Sequence, residues 1–238
     1  MQVDLKKANL QEFLEYKTLY YDKIDFTIVK SSWDKLSEKI KLPFVIHIVG
    51  TNGKGSTGRF LAHYLHKKDF KVLHYSSPHI MKFNERIWIN GFDVSDENLE
   101  LAHKFLQNLF EIELLEKLTY FEYTTLLAFY LSKDFDYLVL EAGLGGEFDA
   151  TNVVENNISL ITTIGLDHQS FLGNTVEEIA ATKMRSVDNK MIIGYQVFPE
   201  VVKTANEVKK QILEQRNKSI EIIEVKDFEK YAINDKFA

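Results

Sequence analysis

The stretch GTNGKGST, residues 50–57, places three glycines, a lysine and hydroxyl side chains directly after the apolar run FVIHIV. Glycines let backbone N–H groups turn inward around a polyphosphate, and a following helix adds its positive end. In such a loop Lys54 reaches the β- and γ-phosphates of ATP, and Ser56 or Thr57 faces Mg²⁺. The spacing differs from GxxxxGK(S/T), because Gly55 separates Lys54 from Ser56.

This loop is therefore a predicted phosphate-binding site. The alternative is a glycine-rich turn that binds nothing. Its position between a buried strand and a helix favours phosphate binding, since that is the context the motif requires. The predicted ATP-binding residues are Gly50, Thr51, Asn52, Gly53, Lys54, Gly55, Ser56 and Thr57.

Two further residues at strand ends could do chemistry. Glu141 follows the apolar run YLVL, and a carboxylate there is costly to bury unless something positive meets it. Mg²⁺ takes oxygen ligands, so Glu141 is a candidate ligand; the alternative is a side chain that emerges into solvent. His168 follows the apolar residues 158–164. A lone histidine is more often structural or exposed, and imidazole is not the donor that Mg²⁺ prefers.

The elements that would position these residues alternate along the chain. Strands are predicted at residues 44–49, 71–75, 137–143, 158–165, 191–195 and 220–225. Helices are predicted at residues 56–67, 96–116, 122–132, 175–183 and 199–216. Such alternation indicates an α/β fold, a mostly parallel sheet with helices on both faces. Ligands in such folds bind beyond the carboxyl ends of the strands, so residues 50–56, 141–146 and 165–168 are expected to converge.

Two local details belong to this prediction. The helix at residues 56–67 is expected to carry one apolar face, made of Phe60, Leu61, Tyr64 and Leu65. Ser95 is expected to cap the helix that follows it.

Composition excludes several classes of protein. Apolar residues make up 45% of the 238, enough for the core of one large domain. The absence of cysteine excludes disulfide scaffolds and fits a reducing compartment. A net charge of −6 argues against a nucleic-acid-binding surface. The start is too polar for a signal peptide, and no apolar stretch of about 18 residues suggests a membrane span. The expectation is a cytoplasmic protein that binds neither nucleic acid nor membrane.

Longer motifs narrow the class of P-loop protein. They are SSPHIMKFNERIWING (residues 76–91), TYFEYTTLLAF (119–129), LEAGLGGEFDATNV (140–153) and ITTIGLDHQSFLGNTVEEIAATK (161–183). Together with HIVGTNGKGST, they resemble dihydrofolate synthase/folylpolyglutamate synthase, a branch of the Mur ligase family. The stretch LYYDKIDFTIVKSSWDKL, residues 19–36, also looks like that family. The resemblance runs from about residue 15 to about residue 200.

The resemblance implies a fold and a reaction. Residues 1–238 are expected to form the P-loop, Mur-ligase-type ATP-binding domain, with the family's C-terminal, Rossmann-like domain missing from this chain. The implied enzyme is an ATP-dependent ligase that adds L-glutamate to dihydropteroate or to a folate through an acyl phosphate, in folate biosynthesis and polyglutamylation. The implied cofactors are ATP and Mg²⁺, and the implied oligomeric state is a monomer.

Roles for individual residues follow from the same resemblance. The implied metal ligands are Ser77, Glu141 and His168, with Asp167 orienting His168 or a metal-bound water. The implied catalytic residues are Lys54, His168 and Lys183. Lys183 corresponds to a lysine that carries a carbamate made with CO2 (N6-carboxylysine), whereas a helical lysine is ordinarily solvated.

The implied pterin-binding residues are Phe83, Arg86, Phe121 and Asp149. Phe121 is the candidate stacking residue, with a core aromatic as its alternative, and Asp149 would shape a loop near the substrate. Two departures from the family pattern accompany these matches. The family often has arginine or lysine where Glu147 stands, and it usually has small residues where Met184 and Arg185 stand.

Two alternatives remain open at this level, and a third does not fit the motifs. The chain could be a truncated ATP- or pterin-binding domain without ligase turnover. It could be another Mur-type amide ligase, although those enzymes lack the run FNERIWING. An unrelated P-loop switch protein would have no place for the SPH, GLGG and GLDH stretches. The sequence leaves the choice between dihydropteroate and folate open.

Overall fold

A computed structural model of the chain describes residues 4–18 and 25–225. The strands are β1 (Phe44–Val49), β2 (Val72–Tyr75), β3 (Ile87–Ile89), β4 (Phe92–Asp93), β5 (Tyr137–Glu141), β6 (Ile158–Ile161), β7 (Lys190–Ile193) and β8 (Glu221–Glu224). The α-helices are α1 (Leu10–Tyr16), α2 (Phe26–Ser37), α3 (Lys54–His66), α4 (Asp96–Leu109), α5 (Ile112–Lys117), α6 (Tyr120–Ser132), α7 (Gln169–Leu172), α8 (Val176–Met184) and α9 (Glu200–Arg216). Residues 19–24 of the family-like stretch 19–36 lie outside the described residues.

The described strands form one sheet in the order β4-β3-β2-β5-β1-β6-β7-β8. The six strands from β2 to β8 in this order run parallel, and β3 and β4 add an antiparallel edge. From β1 the chain crosses over β5 to reach β2, whereas β6 lies on the other side of β1. The carboxyl end of β1 is therefore a point where the connections diverge, which is the usual ligand position in open α/β sheets.

Helices cover both faces of the sheet, as predicted. Because side chains alternate along a strand, Val45 and Val49 of β1 face one way and Ile48 faces the other. Val45 belongs to a core with α2, α4 and α6, and Val49 to a core with α8 and α9. Ile48 packs toward Ala62 of α3 on the opposite face. In the described part of the chain no helix is long and apolar enough to cross a membrane.

The apolar face predicted for the helix at residues 56–67, which is α3, is wrong in part. Phe60 and Tyr64 are 74% and 62% exposed, and the residues that α3 buries are Gly58 and Ala62. A Cβ at position 58 would lie 2.4 Å from Nε2 of His74, so the helix approaches the sheet too closely for large side chains. Gly58 and Ala62, four residues apart, therefore form the closest contact. Leu61 and Leu65 pack at its side as predicted, whereas Phe60 and Tyr64 point outward.

Most predicted elements are present with shifted ends. The predicted helix at residues 96–116 is instead two helices, because the backbone turns extended at the fully buried Phe110. Ser95 caps α4 by accepting from the N–H of Asn98, as expected. Thr119 and Thr175 begin α6 and α8 with capping boxes, which satisfy N–H groups that no helical turn can reach.

Candidate active site

The loop after β1 folds back on its own lysine. Lys54 is the first residue of α3, and its Nζ donates to the carbonyl oxygens of Gly50 at 3.1 Å and Thr51 at 3.5 Å. Gly53 precedes it with a φ of 82°, a left-handed conformation that favours glycine. A Cβ at position 53 would meet no atom within 4 Å, so the space beside the start of α3 is open.

Hydrogen bonds fasten this loop to the chain that follows β6. The N–H of Thr51 donates to the carbonyl of Thr163 at 3.0 Å. The hydroxyl of Thr51 donates to the carbonyl of Gly165 and accepts from its N–H, each at 3.1 Å. A Cβ on Gly50 would lie 1.9 Å from Oγ1 of Thr162, so a glycine is needed for this close approach. Two of the predicted strand-end stretches are thus in direct contact.

Glu141 ends β5 as a buried carboxylate beside the loop. It is 5% exposed, and its Oε2 accepts from the N–H of Ser77 at 3.3 Å. The same oxygen is 3.4 Å from the position that a Cβ on Gly55 would take. Burial raises the pKa of Glu141 to about 7, although the charge of Lys54 and the Ser77 N–H act to lower it. The carboxylate is therefore short of positive charge, and a cation beside it would stabilise its ionised form.

Lys183 on α8 points into the same region. It is 2% exposed, and its Nζ donates to the carbonyl of Gly50 at 3.0 Å, the oxygen that Lys54 also contacts. Burial lowers the pKa of Lys183 to about 8, and Lys54 adds to this effect while Asp167 and Asp149 oppose it. Lys183 is therefore buried, whereas a lysine on a helix is ordinarily solvated. A pKa near 8 leaves a substantial fraction of neutral amine near neutral pH.

His168 lies just beyond the end of β6, at the N-terminus of α7. Its backbone is left-handed, with a φ of 45°, and its side chain is 54% exposed. The Nε2 atom lies 3.5 Å from Oδ1 of Asp167, which fits a role for Asp167 in orienting the ring. The histidine is at the predicted edge of the sheet, and its part in metal binding stays a prediction.

The donor atoms present fit Mg²⁺ bound together with a nucleotide. Among the described residues, no three histidine, aspartate or glutamate side chains come together as a metal-binding group. Mg²⁺ usually keeps several waters and binds through one or two carboxylates plus substrate phosphates. Glu141 supplies a buried carboxylate of that kind, with Ser77 next to it.

The four predicted pterin-binding residues form two groups. Phe83 lines a cavity of about 680 Å³ that also includes Tyr120 and extends to α1 and α4. Arg86, 9% exposed, donates from Nε to Nδ1 of His79 at 2.9 Å and lies 5.2 Å from the ring of Tyr120. No carboxylate in the described part of the chain forms an ion pair with Arg86.

The second group surrounds the glycines after β5. The ring of Phe121 is 2.6 Å from the position that a Cβ on Gly143 would take, so it packs on the glycine backbone while also touching the core. Asp149 is buried and accepts from the N–H groups of Leu144 at 2.7 Å and Thr151 at 2.9 Å. Its carboxylate is used within its own loop, which agrees with the loop-shaping expectation, and direct contact with a pterin stays a prediction.

One cavity was not foreseen from the sequence. It has a volume of about 500 Å³, lies between α3 and the end of β2, and opens beside Glu141 and Ser77. Its walls include Arg59, His63 and the buried His74, both of whose ring nitrogens lack a hydrogen-bond partner. The only sequence signal was a histidine inside an otherwise apolar strand.

Comparisons with known proteins agree with this geometry. Residues 48–236 match the Mur ligase middle domain. The dihydrofolate synthase/folylpolyglutamate synthase of Haemophilus influenzae is 41% identical over 179 residues, which are 73% of this chain and 40% of that protein.

Solved structures extend the comparison. The crystal structure of Helicobacter pylori folylpolyglutamate synthetase matches 92% of this chain and 53% of its own, with a TM-score of 0.78 and 40% identity. A bifunctional folylpolyglutamate synthase/dihydrofolate synthase with Mn, AMPPNP and L-glutamate bound matches 94% of this chain and 53% of its own, with a TM-score of 0.74 and 28% identity. The chain thus spans about half the length of the relatives it matches.

Proposed function

The chain belongs to the Mur ligase family, in its dihydrofolate synthase/folylpolyglutamate synthase branch, and on that premise we propose that it binds Mg²⁺ and ATP and takes part in joining L-glutamate to a pterin carboxylate. The acceptor would be dihydropteroate, a folate, or both. The names of these relatives supply this substrate class. In this proposal the chain acts as one ATP-binding domain.

The observation that carries the proposal is the position of Glu141. A buried carboxylate with a pKa of about 7 lies beside the glycine loop, and the positive end of α3 and Lys54 lie next to it. A loop without a ligand has no need for an ionisable group that is costly to bury. Together these groups suit a phosphate chain that carries a divalent cation.

In the proposed reaction, a carboxylate oxygen of the pterin substrate attacks the γ-phosphorus of ATP, and ADP leaves. The amine of L-glutamate then attacks the carbonyl carbon of the acyl phosphate, phosphate leaves, and the amine loses a proton. Mg²⁺, held by Glu141 and Ser77, would neutralise negative charge on the phosphates. Lys54 and the N–H groups at the start of α3 hold the β- and γ-phosphates in place. The enzyme contributes mainly position and charge.

Lys183 is the proposed site of a carbamate. The reaction needs a neutral amine, which adds to CO2 and releases a proton, and burial of Lys183 provides that form. Its Nζ is within 3.0 Å of the Gly50 carbonyl, so the modification would place a new anion beside the loop. His168, on the neighbouring edge, is the proposed third metal-side residue.

Four residues are proposed for the pterin substrate. A flat ring needs aromatic walls with a few polar groups. Phe121 on the glycine backbone is the proposed stacking surface, with Asp149 shaping the loop beside it. Arg86, which lacks a carboxylate partner among the described residues, is suited to a substrate carboxylate, with Phe83 nearby in the larger cavity.

The test is ADP release by the 238-residue chain with Mg-ATP, dihydropteroate and L-glutamate, omitting each in turn, with Lys54→Ala as the control. Release that needs all three and is lost in Lys54→Ala would support the ligase. Nucleotide binding without release would favour the second candidate, a domain without turnover of its own. Release in Lys54→Ala at the wild-type rate would contradict the phosphate-binding role.

A further inference from the structure

Glu147 and Arg185 form an ion pair between the loop after β5 and the end of α8. Nε of Arg185 lies 2.5 Å from Oε2 of Glu147. The two side chains are only 27% and 22% exposed, so solvent screens the pair less than an ordinary surface pair. Arg185 also donates from Nη2 to the hydroxyl of Thr182 at 3.2 Å.

The backbone on either side of the pair is fixed as well. The N–H of Glu147 donates to the carbonyl of Thr182 at 3.1 Å, and its carbonyl accepts from Nδ2 of Asn152 at 2.9 Å. Both ends of residue 147 are therefore held. The loop is attached to α8 by a side-chain pair and a backbone hydrogen bond side by side.

This attachment places the loop backbone directly against Lys183. A Cβ on Gly146 would lie 2.5 Å from the carbonyl oxygen of Lys183 and 2.9 Å from its Cα. The loop backbone is thus packed directly on the backbone of Lys183. One end of Lys183 is set by this packing, and the other end by the hydrogen bond from Nζ to the Gly50 carbonyl.

We propose that Glu147 and Arg185 are positioning residues, a pair that holds residues 143–147 against α8 and thereby fixes the Lys183 amine at the Gly50 carbonyl. The pair touches no phosphate or metal site itself and acts through Lys183. The pair gives a structural reason for the observed position of the Lys183 amine, and this role does not depend on whether the chain turns over substrate.

The two members of the pair, Glu147 and Arg185, stand at positions where this chain departs from the family pattern. The resemblance leads to the expectation of a basic residue at 147 and a small residue at 185, and this chain has Glu147 and Arg185 in contact instead. An acidic residue at 147 alone would leave a half-buried carboxylate unpaired, which is costly. The two residues are 38 positions apart, so only the fold reveals that they meet.

The test is a pH titration of the Lys183 amine, monitored by NMR on protein with lysine ¹³C-labelled at Cε. The Lys183 signal is assigned by its absence from the spectrum of Lys183→Arg. The charged groups around this amine are Lys54, Asp167 and Asp149. The wild-type midpoint is expected near the pKa of about 8. In both Glu147→Gln and Arg185→Gln it should rise by roughly one pH unit, because an amine released from burial returns toward its ordinary pKa. The swapped variant Glu147→Arg/Arg185→Glu should restore the wild-type midpoint.

The two single variants separate positioning from a direct charge effect. Through-space charge alone would lower the midpoint in Glu147→Gln and raise it in Arg185→Gln, whereas lost positioning raises both. Opposite shifts, or no shift, would overturn the proposal, as would a swapped variant that fails to fold or titrates like the singles. Glu155→Gln, which removes an ion pair with Lys218 elsewhere on the surface, is the matched control and should leave the midpoint unchanged.

Discussion

At the scale of single residues, the site contains two ionisable groups that burial shifts toward their neutral forms. Glu141 is kept partly neutral and Lys183 is kept partly uncharged, each because burial disfavours its charge. Both meet the same loop, and that loop supplies N–H groups and a carbonyl. In the proposed complex, phosphate and a divalent cation would supply the charged partners that these groups lack.

Glu141→Gln should stabilise the metal-free protein above neutral pH. The folded protein holds a proton on Glu141 up to a pKa of about 7, whereas the unfolded chain loses it near 4.5, so ionisation costs stability progressively between these values. The gain from Glu141→Gln at pH 8, relative to that at pH 4.5, should approach about 3 kcal/mol. Urea unfolding in EDTA at both pH values measures it. An equal effect at both pH values would mean that Glu141 is not buried as described.

Lys183→Ala should abolish ligase activity in an assay where the wild type is active. If the modified lysine supplies an anion, a small carboxylic acid such as acetate should restore part of the rate, because it can occupy the vacated space. Lys183→Arg keeps the positive charge and is the matched control, for which no restoration is expected. Lost activity without rescue would point to a different role for the amine.

Residue types at strand ends were enough to predict that Glu141 and the glycine loop with Lys54 lie close together, and their roles in binding stay predictions. Which residues of a helix are buried could not be predicted from the sequence in the same way. Phe60 and Tyr64 look like core residues by spacing, yet Gly58 and Ala62 take that place because of a close helix–sheet contact. The contact between Glu147 and Arg185 depends on a loop meeting the end of α8, and no local sequence pattern encodes that meeting.

At the scale of elements, α3, which follows the glycine loop, lies very close to β2. Gly58→Ala adds a methyl group 2.4 Å from Nε2 of His74 and 3.1 Å from Cδ1 of Ile48. Alanine favours helix by about 1 kcal/mol over glycine, and overpacking a core costs about 1–3 kcal/mol. We expect the clash to exceed the helix gain, so the variant should be less stable in thermal or urea unfolding.

The same change should become harmless once the ring is removed. In a His74→Ala background, adding Gly58→Ala should be neutral or stabilising, because the space is vacant and the helix preference remains. The coupling between the two sites is expected to be about 0.5–3 kcal/mol. Additive effects of the two substitutions would show that α3 does not rest on His74.

The order of elements was predictable because hydrophobic runs alternate with amphipathic helices along the chain. The ends of the elements were less predictable. β6 is four residues long rather than eight, because Thr163 and Gly165 use their backbone groups to bind the glycine loop after β1 instead of a neighbouring strand. The short strands β3 and β4 have too few residues for a periodic signal. Contacts between these two loops thus end the regular strand β6 early.

At the scale of the whole molecule, the parallel sheet brings four chain segments to one edge. The ends of β1, β2, β5 and β6 supply Lys54, Ser77, Glu141 and His168, and α8 brings Lys183 to the same place. A cavity of about 500 Å³ opens beside Glu141, and a second one of about 680 Å³ is lined by Phe83 and residues of α1 and α4. This arrangement suits the nucleotide and pterin sites that we propose.

The most direct measurement is equilibrium binding of ATP to the chain by calorimetry, with and without Mg²⁺, in wild type, Lys54→Ala and Glu141→Gln. We predict Mg²⁺-dependent binding that weakens at least about tenfold in Lys54→Ala, the equivalent of about 1.4 kcal/mol. Glu141→Gln should lose most of the dependence on Mg²⁺ while retaining nucleotide affinity in its absence. Equal affinities in all three proteins, or no binding in the wild type, would contradict a nucleotide site at this edge of the sheet.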